Sequence, residues 1–180
     1  FQAEDGIRHS STSRGLGDVY KRQALEYKNM IKKVRNVRPD ISITSDFIIG
    51  YPGESNECFE ETLDLIEQIG FDDGYSFIYS KRPGTPASSE PDNISMSEKK
   101  KRLSLVQDLI RANSEKYLSK LVGTSQEILI EGTSKTDPMK LFGRTFTNKI
   151  VNFRGPTDLI GQLIDVKIIG SNRNSLDGAF

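Results

Sequence analysis

The stretch Ile41-Ser42-Ile43-Thr44-Ser45-Asp46-Phe47-Ile48-Ile49-Gly50-Tyr51-Pro52-Gly53-Glu54 decides how the first half of the chain is read. Its first nine residues alternate. Ile41, Ile43, Phe47 and Ile49 fall on one face of an extended segment, and Ser42, Thr44, Asp46 and Ile48 on the other. The polar face must look at something wet. Gly50 to Gly53 then form a turn, and Ser55 stands where it can cap a helix with Glu54, Glu57, Glu60 and Glu61 near its positive end. A strand running into a helix is the start of an α/β unit.

Working outward, Tyr27, Met30, Ile31, Val34 and Val37 recur at helical spacing before the strand, with Lys28, Lys32 and Arg35 expected on the opposite side. Arg38-Pro39-Asp40 closes that helix, because the residue before a proline avoids helical geometry. After the strand, Phe59, Thr62, Leu63, Ile66 and Ile69 form the stripe of the second helix and Gly70 suits its exit. Tyr75-Ser76-Phe77-Ile78-Tyr79-Ser80 reads as another strand. The strand-helix-strand order predicts a parallel pair with a right-handed crossover. Two strands do not make a domain, so residues 24–88 are expected to be the carboxyl-terminal part of a larger α/β barrel or doubly wound sheet.

Residues 89–120 read as a linker followed by a bridging helix: Pro-Asp-Asn loop signals, a capping box at Ser95 and Glu98, then Leu103, Val106, Leu109, Ile110, Tyr117, Leu118 and Leu121 in one stripe. From residue 121 the signals turn to short strands, at 126–131, 141–146, 149–153 and 162–169, separated by glycine and proline turns. That is the pattern of a small closed barrel of the OB type over 121–180. The fold class is therefore α/β followed by an all-β barrel.

The chain has 180 residues, 25 Lys plus Arg against 25 Asp plus Glu, and a single cysteine. One thiol excludes a disulfide framework and a four-cysteine metal or iron–sulfur site within this chain. No window reaches the roughly 18 apolar residues of a membrane span, which points to a cytoplasmic protein with no membrane partner. Residues 1–23 hold the one histidine, His9, show no periodicity, and resemble translated adapter sequence; they are expected to be a non-native leader. Outside that stretch no Ser-His-Asp or Cys-His arrangement exists, and Cys58, in a helix turn among glutamates, is read as structural.

The zero net charge hides a local excess. Lys135, Lys140, Arg144, Lys149 and Arg154 face only Asp137 between residues 135 and 154, with Phe142, Phe146 and Phe153 among them. Small barrels bind nucleic acid with cations on phosphates and aromatic rings under bases. The phenylalanines are individually expected in the core, whereas the basic cluster is expected to bind. Asn148 and Asn152 alternate with Arg154 on one strand face, which suits backbone contact. In the α/β part, function belongs at the carboxyl ends of the strands, where Gly50 permits close approach and Lys81 with Arg82 could meet phosphate.

Three motifs in order, Ile43 to Glu54, Phe77-Ile78-Tyr79-Ser80-Lys81-Arg82-Pro83-Gly84-Thr85-Pro86-Ala87, and Leu141-Phe142-Gly143-Arg144-Thr145 with Asn148-Lys149-Ile150-Val151-Asn152-Phe153, resemble the carboxyl-terminal part of a tRNA methylthiotransferase of the MiaB type. The resemblance covers residues 24–180. It implies the end of a radical-SAM partial barrel followed by a TRAM β-barrel that grips tRNA. It further implies an intact enzyme that uses S-adenosylmethionine and two 4Fe-4S clusters to methylthiolate an isopentenylated adenosine in the tRNA anticodon stem-loop. Asp46, Ile48 and Gly50 would border the cofactor, and Lys81, Arg82, Lys135, Arg144, Asn148, Lys149 and Arg154 would meet RNA. The cluster-binding cysteines of the family are absent from this chain, so it reads as a piece that binds tRNA without turning over, and as a monomer. Related enzymes acting on threonylcarbamoyl-adenosine or a ribosomal protein share two of the motifs, and a stand-alone RNA-binding module is the alternative from another class.

Overall fold

The structure is a computed structural model that describes residues 16–135 and 137–180, with side chains from Ala24 onward. It divides into two compact units, one ending at Arg111 and the other running Ala112–Phe180. The first contains α1 (Leu16–Val37), β1 (Thr44–Ile49), α2 (Asn56–Ile69), β2 (Asp73–Ile78) and the start of α3 (Met96–Leu121). Residues 1–15 of the expected leader lie outside the described residues. Leu16 to Gln23 form the first turns of α1, where the sequence pattern shows no period; once a helix is nucleated, each added residue gains a hydrogen bond at little cost.

β1 and β2 pair in parallel from Thr44 opposite Asp73 to Ile49 opposite Ile78, with α2 as the crossover. The alternation holds. Phe47 and Ile49 are buried, while Thr44 and Asp46 are exposed. The buried side packs on Phe59, Ile66 and Ile69 of α2, on Phe71, and on Val106 and Ile110 of α3. Ser55 caps α2 by accepting from the Cys58 N–H at 3.2 Å, and Gly70 ends it in the left-handed conformation, its N–H reaching the Ile66 carbonyl at 2.9 Å. Asp72 clasps the entry to both strands: its carboxylate accepts from the Ile43 N–H at 2.7 Å, and its own N–H returns to the Ile43 carbonyl at 2.9 Å.

Helix α1 departs from its sequence reading. Tyr27 and Ile31 pack toward the core, but Met30, Val34 and Val37 of the expected apolar stripe are exposed. Arg35, expected on the outer side, instead donates to the Ile69 and Gly70 carbonyls at the end of α2. A guanidinium satisfies the orphan carbonyls of a helix terminus and its negative dipole end together, which fixes the face α1 presents.

In the second unit, β3 (Ser125–Thr133), β4 (Leu141–Thr145), β5 (Ile150–Phe153), β6 (Leu163–Ser171) and β7 (Leu176–Ala179) close a barrel in the order β3-β4-β5-β7-β6. All neighbours are antiparallel except the β5–β7 pair. Ile128, Ile130, Leu141, Val151, Phe153, Val166, Ile168 and Leu176 fill the interior, and Leu118 of α3 packs among them. Gly143 marks a close approach of two strands, since a Cβ there would strike the Leu129 carbonyl and lie 2.5 Å from a methyl of Ile128. The small closed barrel expected from the strand spacing is present, with β7 as a fifth strand that the sequence reading lacks.

Candidate functional site

In the first unit the carboxyl ends of β1 and β2 gather three segments: the loop 50–54, the loop after Ile78, and the first turns of α3. Gly50, with φ of 72°, turns the chain out of β1. Its N–H donates to Glu54 Oε2 at 2.9 Å, and the space beside its Cα is filled by the Lys99 methylenes, which a Cβ would meet at 2.7 Å. The close approach that glycine permits is therefore made by Lys99. The Lys99 side chain is 2% exposed, and its ammonium reaches Asp92 Oδ2 at 2.7 Å.

Arg102 completes this clasp. Its guanidinium donates to Glu54 Oε2 at 2.8 Å, to the Glu54 carbonyl at 3.3 Å, to Asn56 Oδ1 at 2.6 Å and to Glu98 Oε1 at 3.4 Å, and it lies 5.1 Å from the centre of the Phe59 ring. Glu54, expected at the dipole of α2, is turned to Arg102 and Gly50 instead, and Glu98, expected to close the capping box, is turned to Arg102. Ser95 still accepts from the Glu98 N–H at 3.2 Å. The sequence carried a signal for these two cations: positions 99 and 102 continue the stripe of Val106 and Ile110 by seven and four residues, so they face the core and need buried acids.

Asp46 and Ile48 stand opposite Tyr75 and Phe77 in the parallel register, so the four share the outer face of the strand pair. Tyr75 and Phe77 are stacked at 6.5 Å and largely exposed. Ile48 also borders a cleft of about 460 Å³ between α1, β1 and the start of α2, lined in addition by Tyr27, Ser45, Tyr51 and Cys58. Burial pushes the Tyr27 phenol above its ordinary range, partly offset by its hydrogen bond with Ser45. At the end of β2 the Tyr79 hydroxyl is buried with no hydrogen-bond partner among the described residues, while its ring meets that of Tyr51 edge-on at 5.1 Å. Lys81 and Arg82 are exposed in the following loop.

In the second unit the basic cluster separates by strand parity. Arg144 and Asn152 are on the outer side of the barrel, and Arg154 is exposed just beyond β5 without an ion pair or hydrogen bond among the described residues. Arg144 is joined to Glu131 at 3.2 Å and to Asn148 Oδ1 at 3.0 Å; Lys140 is 3.7 Å from Asp177; Lys135 is exposed. Lys149 differs from the expectation of an open phosphate contact. It shares the inward parity of Val151 and Phe153, is 9% exposed, and places its ammonium 5.2 Å from the centre of the Tyr117 ring. The alternation that put Asn148, Asn152 and Arg154 on one face already put Lys149 on the other.

The phenylalanines also separate. Phe153 is buried and Phe142 half-buried, but Phe146 is 75% exposed, against the expectation of a core position. β4 ends at Thr145, so Phe146 belongs to the hairpin turn and no longer to the barrel wall.

Among the described residues no group of three or more histidine, cysteine or acidic side chains could hold a metal ion, and no helix is long and apolar enough to cross a membrane. The single cysteine of the sequence does not fit an iron–sulfur cluster, which needs at least three.

The TRAM domain family matches residues 119–180. A tRNA-2-methylthio-N(6)-dimethylallyladenosine synthase of Actinobacillus succinogenes is 53% identical over 155 residues, 86% of this chain and 33% of the relative. Proteins of the same name from Haemophilus influenzae, over 86% of the chain, and Shewanella pealeana, over 87%, are each 52% identical, again across 33% of their length. The chain thus spans about a third of the length of the curated relatives it matches. It carries a TRAM domain and is, along most of its own length, homologous to proteins named tRNA-2-methylthio-N(6)-dimethylallyladenosine synthase.

Proposed function

We propose that the chain is the tRNA-binding and cofactor-bordering portion of a cytoplasmic radical-SAM methylthiotransferase that acts on dimethylallyladenosine beside the tRNA anticodon. The observation that carries this reading is the 53% identity over 155 residues, a match long enough to draw on both units. The first unit would supply the final strands of a partial (β/α) barrel and the second the grip on the anticodon stem-loop.

S-adenosylmethionine, when bound, supplies the radical and the methyl group. The residues of this chain would contribute its lodging. The outer face of β1 and β2 offers a carboxylate at Asp46 beside the apolar Ile48 and the Tyr75 and Phe77 rings, a surface that suits a nucleoside. The orphaned Tyr79 hydroxyl at the same strand ends is a donor awaiting an acceptor. Gly50 would contribute its backbone conformation, because Glu54 already occupies its N–H. The clusters would be held by residues outside this sequence, and one copy of the protein would suffice for binding.

Grafting residues 24–180 in place of the matching third of the Actinobacillus succinogenes relative tests the reading. The expected result is 2-methylthio-dimethylallyladenosine in tRNA from a strain lacking its own enzyme, measured by mass spectrometry of nucleosides. A folded, cluster-loaded chimera that leaves the nucleoside unmodified would overturn it.

A further inference from the structure

We infer that Glu131 is a positioning residue that sets Arg144 and Asn148 as one fixed group of donors for a neutral acceptor on an unpaired nucleotide, a base carbonyl or ring nitrogen; this deepens the reading of the barrel as RNA-binding and rests on it. Arg144 carries five N–H donors in a planar fork. Its Nε stands 3.2 Å from both carboxylate oxygens of Glu131, and its Nη1 donates to Asn148 Oδ1 at 3.0 Å and to the Asn148 carbonyl at 3.4 Å. Two edges of the guanidinium are thus occupied, while the N–H groups of Nη2 meet no acceptor among the described residues.

Asn148 is fixed as firmly. A guanidinium only donates, so the atom of the Asn148 amide that faces it must be the oxygen, which turns the Nδ2 donors away from Arg144. The backbone holds this side chain in place. The Asn148 N–H closes the β4–β5 turn on the Thr145 carbonyl at 2.8 Å, and its φ of 63° is a left-handed conformation that asparagine tolerates. Arg144 Nη2 and Asn148 Nδ2 are therefore unspent donors on two side chains joined to each other.

Charge and surroundings decide what they suit. Glu131 balances the Arg144 cation, and it is open positive charge that draws phosphate. In the strand register Arg144 lies between Leu129 on β3, 45% exposed, and Ile150 on β5, half-buried, so apolar side chains flank the fork. Oriented, charge-balanced donors with apolar flanks match the edge and face of an unpaired base.

The sign of one substitution separates this from bulk electrostatics. Glu131→Gln removes a negative charge from a barrel that binds a polyanion, which by charge alone tightens binding. With Glu131 as a positioning residue, the same variant should instead weaken binding of a hairpin RNA with an unpaired loop about tenfold, the size of one lost bidentate base contact. Glu127→Gln removes the same charge from the same strand, where it faces Asp165 across the ladder, and should bind that RNA at least as tightly as the parent. Arg144→Lys keeps the charge and loses the fork, so it should weaken the looped RNA to a similar extent with an unchanged slope of log K against log salt. The same stem closed as continuous duplex should bind the parent, Glu131→Gln and Arg144→Lys alike. Fluorescence anisotropy of labelled RNA reads the affinities, melting curves show that each variant is folded, and Arg144→Lys carries the test if Glu131→Gln does not fold. Unchanged or tighter binding of the looped RNA by folded Glu131→Gln, parent-like affinity of Arg144→Lys, or an equal loss on duplex overturns the inference and leaves the RNA-binding reading intact. A parent chain that binds neither RNA overturns both.

Discussion

Arg102 and Glu54 lie 48 residues apart in sequence and meet at 2.8 Å, with side chains only 4% and 10% exposed. The same Glu54 oxygen accepts from the Gly50 N–H, so the first turns of α3 hold the loop that leaves β1. The sheet of the first unit is thereby fastened at its carboxyl end by the start of α3.

Removing one partner of a buried pair strands the other. Arg102→Ala should lower stability by about 3 to 5 kcal/mol in urea unfolding, because Glu54 is left charged and out of water. The double substitution Arg102→Met with Glu54→Gln should recover much of that loss, since neither residue then carries a buried charge. Additive losses in the double variant would show that the pair is not energetically coupled.

The Lys99 ammonium beside Asp92 holds that carboxyl below the ordinary aspartate range, chiefly through its hydrogen bond. A depressed folded value means the carboxylate stabilises the fold above the unfolded value of about 3.9, and the contribution is lost as pH falls through the lower folded value. The stability gap between the parent and Asp92→Asn should be constant from about pH 7 to pH 5 and narrow below about pH 4. A gap that stays constant down to pH 3 would mean the pair is not the cause.

Leu176 is fully buried in β7, the strand that closes the barrel between β5 and β6. Leu176→Ala should cost about 2 to 5 kcal/mol by thermal or urea unfolding of the chain, the range for a cavity in a core that cannot collapse. A loss under about 1 kcal/mol would mean that the barrel relaxes around the missing side chain.

The strands, caps and barrel were legible because each rests on local pattern: the alternation through Phe47 and Ile49, Ser55 and Gly70 at the ends of α2, Val166 and Ile168 along β6. What was not legible depended on distant partners or on strand ends. Lys99 and Arg102 look like ordinary helix charges until Asp92 and Glu54 are placed beside them. β7 has one buried apolar residue, Leu176, ahead of Asp177 and Gly178, too short a run to show a period. Phe146 lies outside the core because β4 stops at Thr145, a boundary that composition does not mark.

Lys149 is buried over the Tyr117 ring whereas Arg154 is exposed, and salt dependence separates the two kinds of cation. Each phosphate contact removed should shallow the slope of log K against log salt by about one unit. Arg154→Ala, which removes an exposed cation, should do so in tRNA binding by the chain. Arg144→Ala should shallow it by less, because Glu131 already offsets part of that charge. Lys149→Met keeps the methylene packing while removing an ammonium that sits on the Tyr117 ring, so the slope should stay put and the melting temperature should fall. A slope that drops by a full unit in Lys149→Met would mean that this lysine leaves Tyr117 for a phosphate when RNA binds.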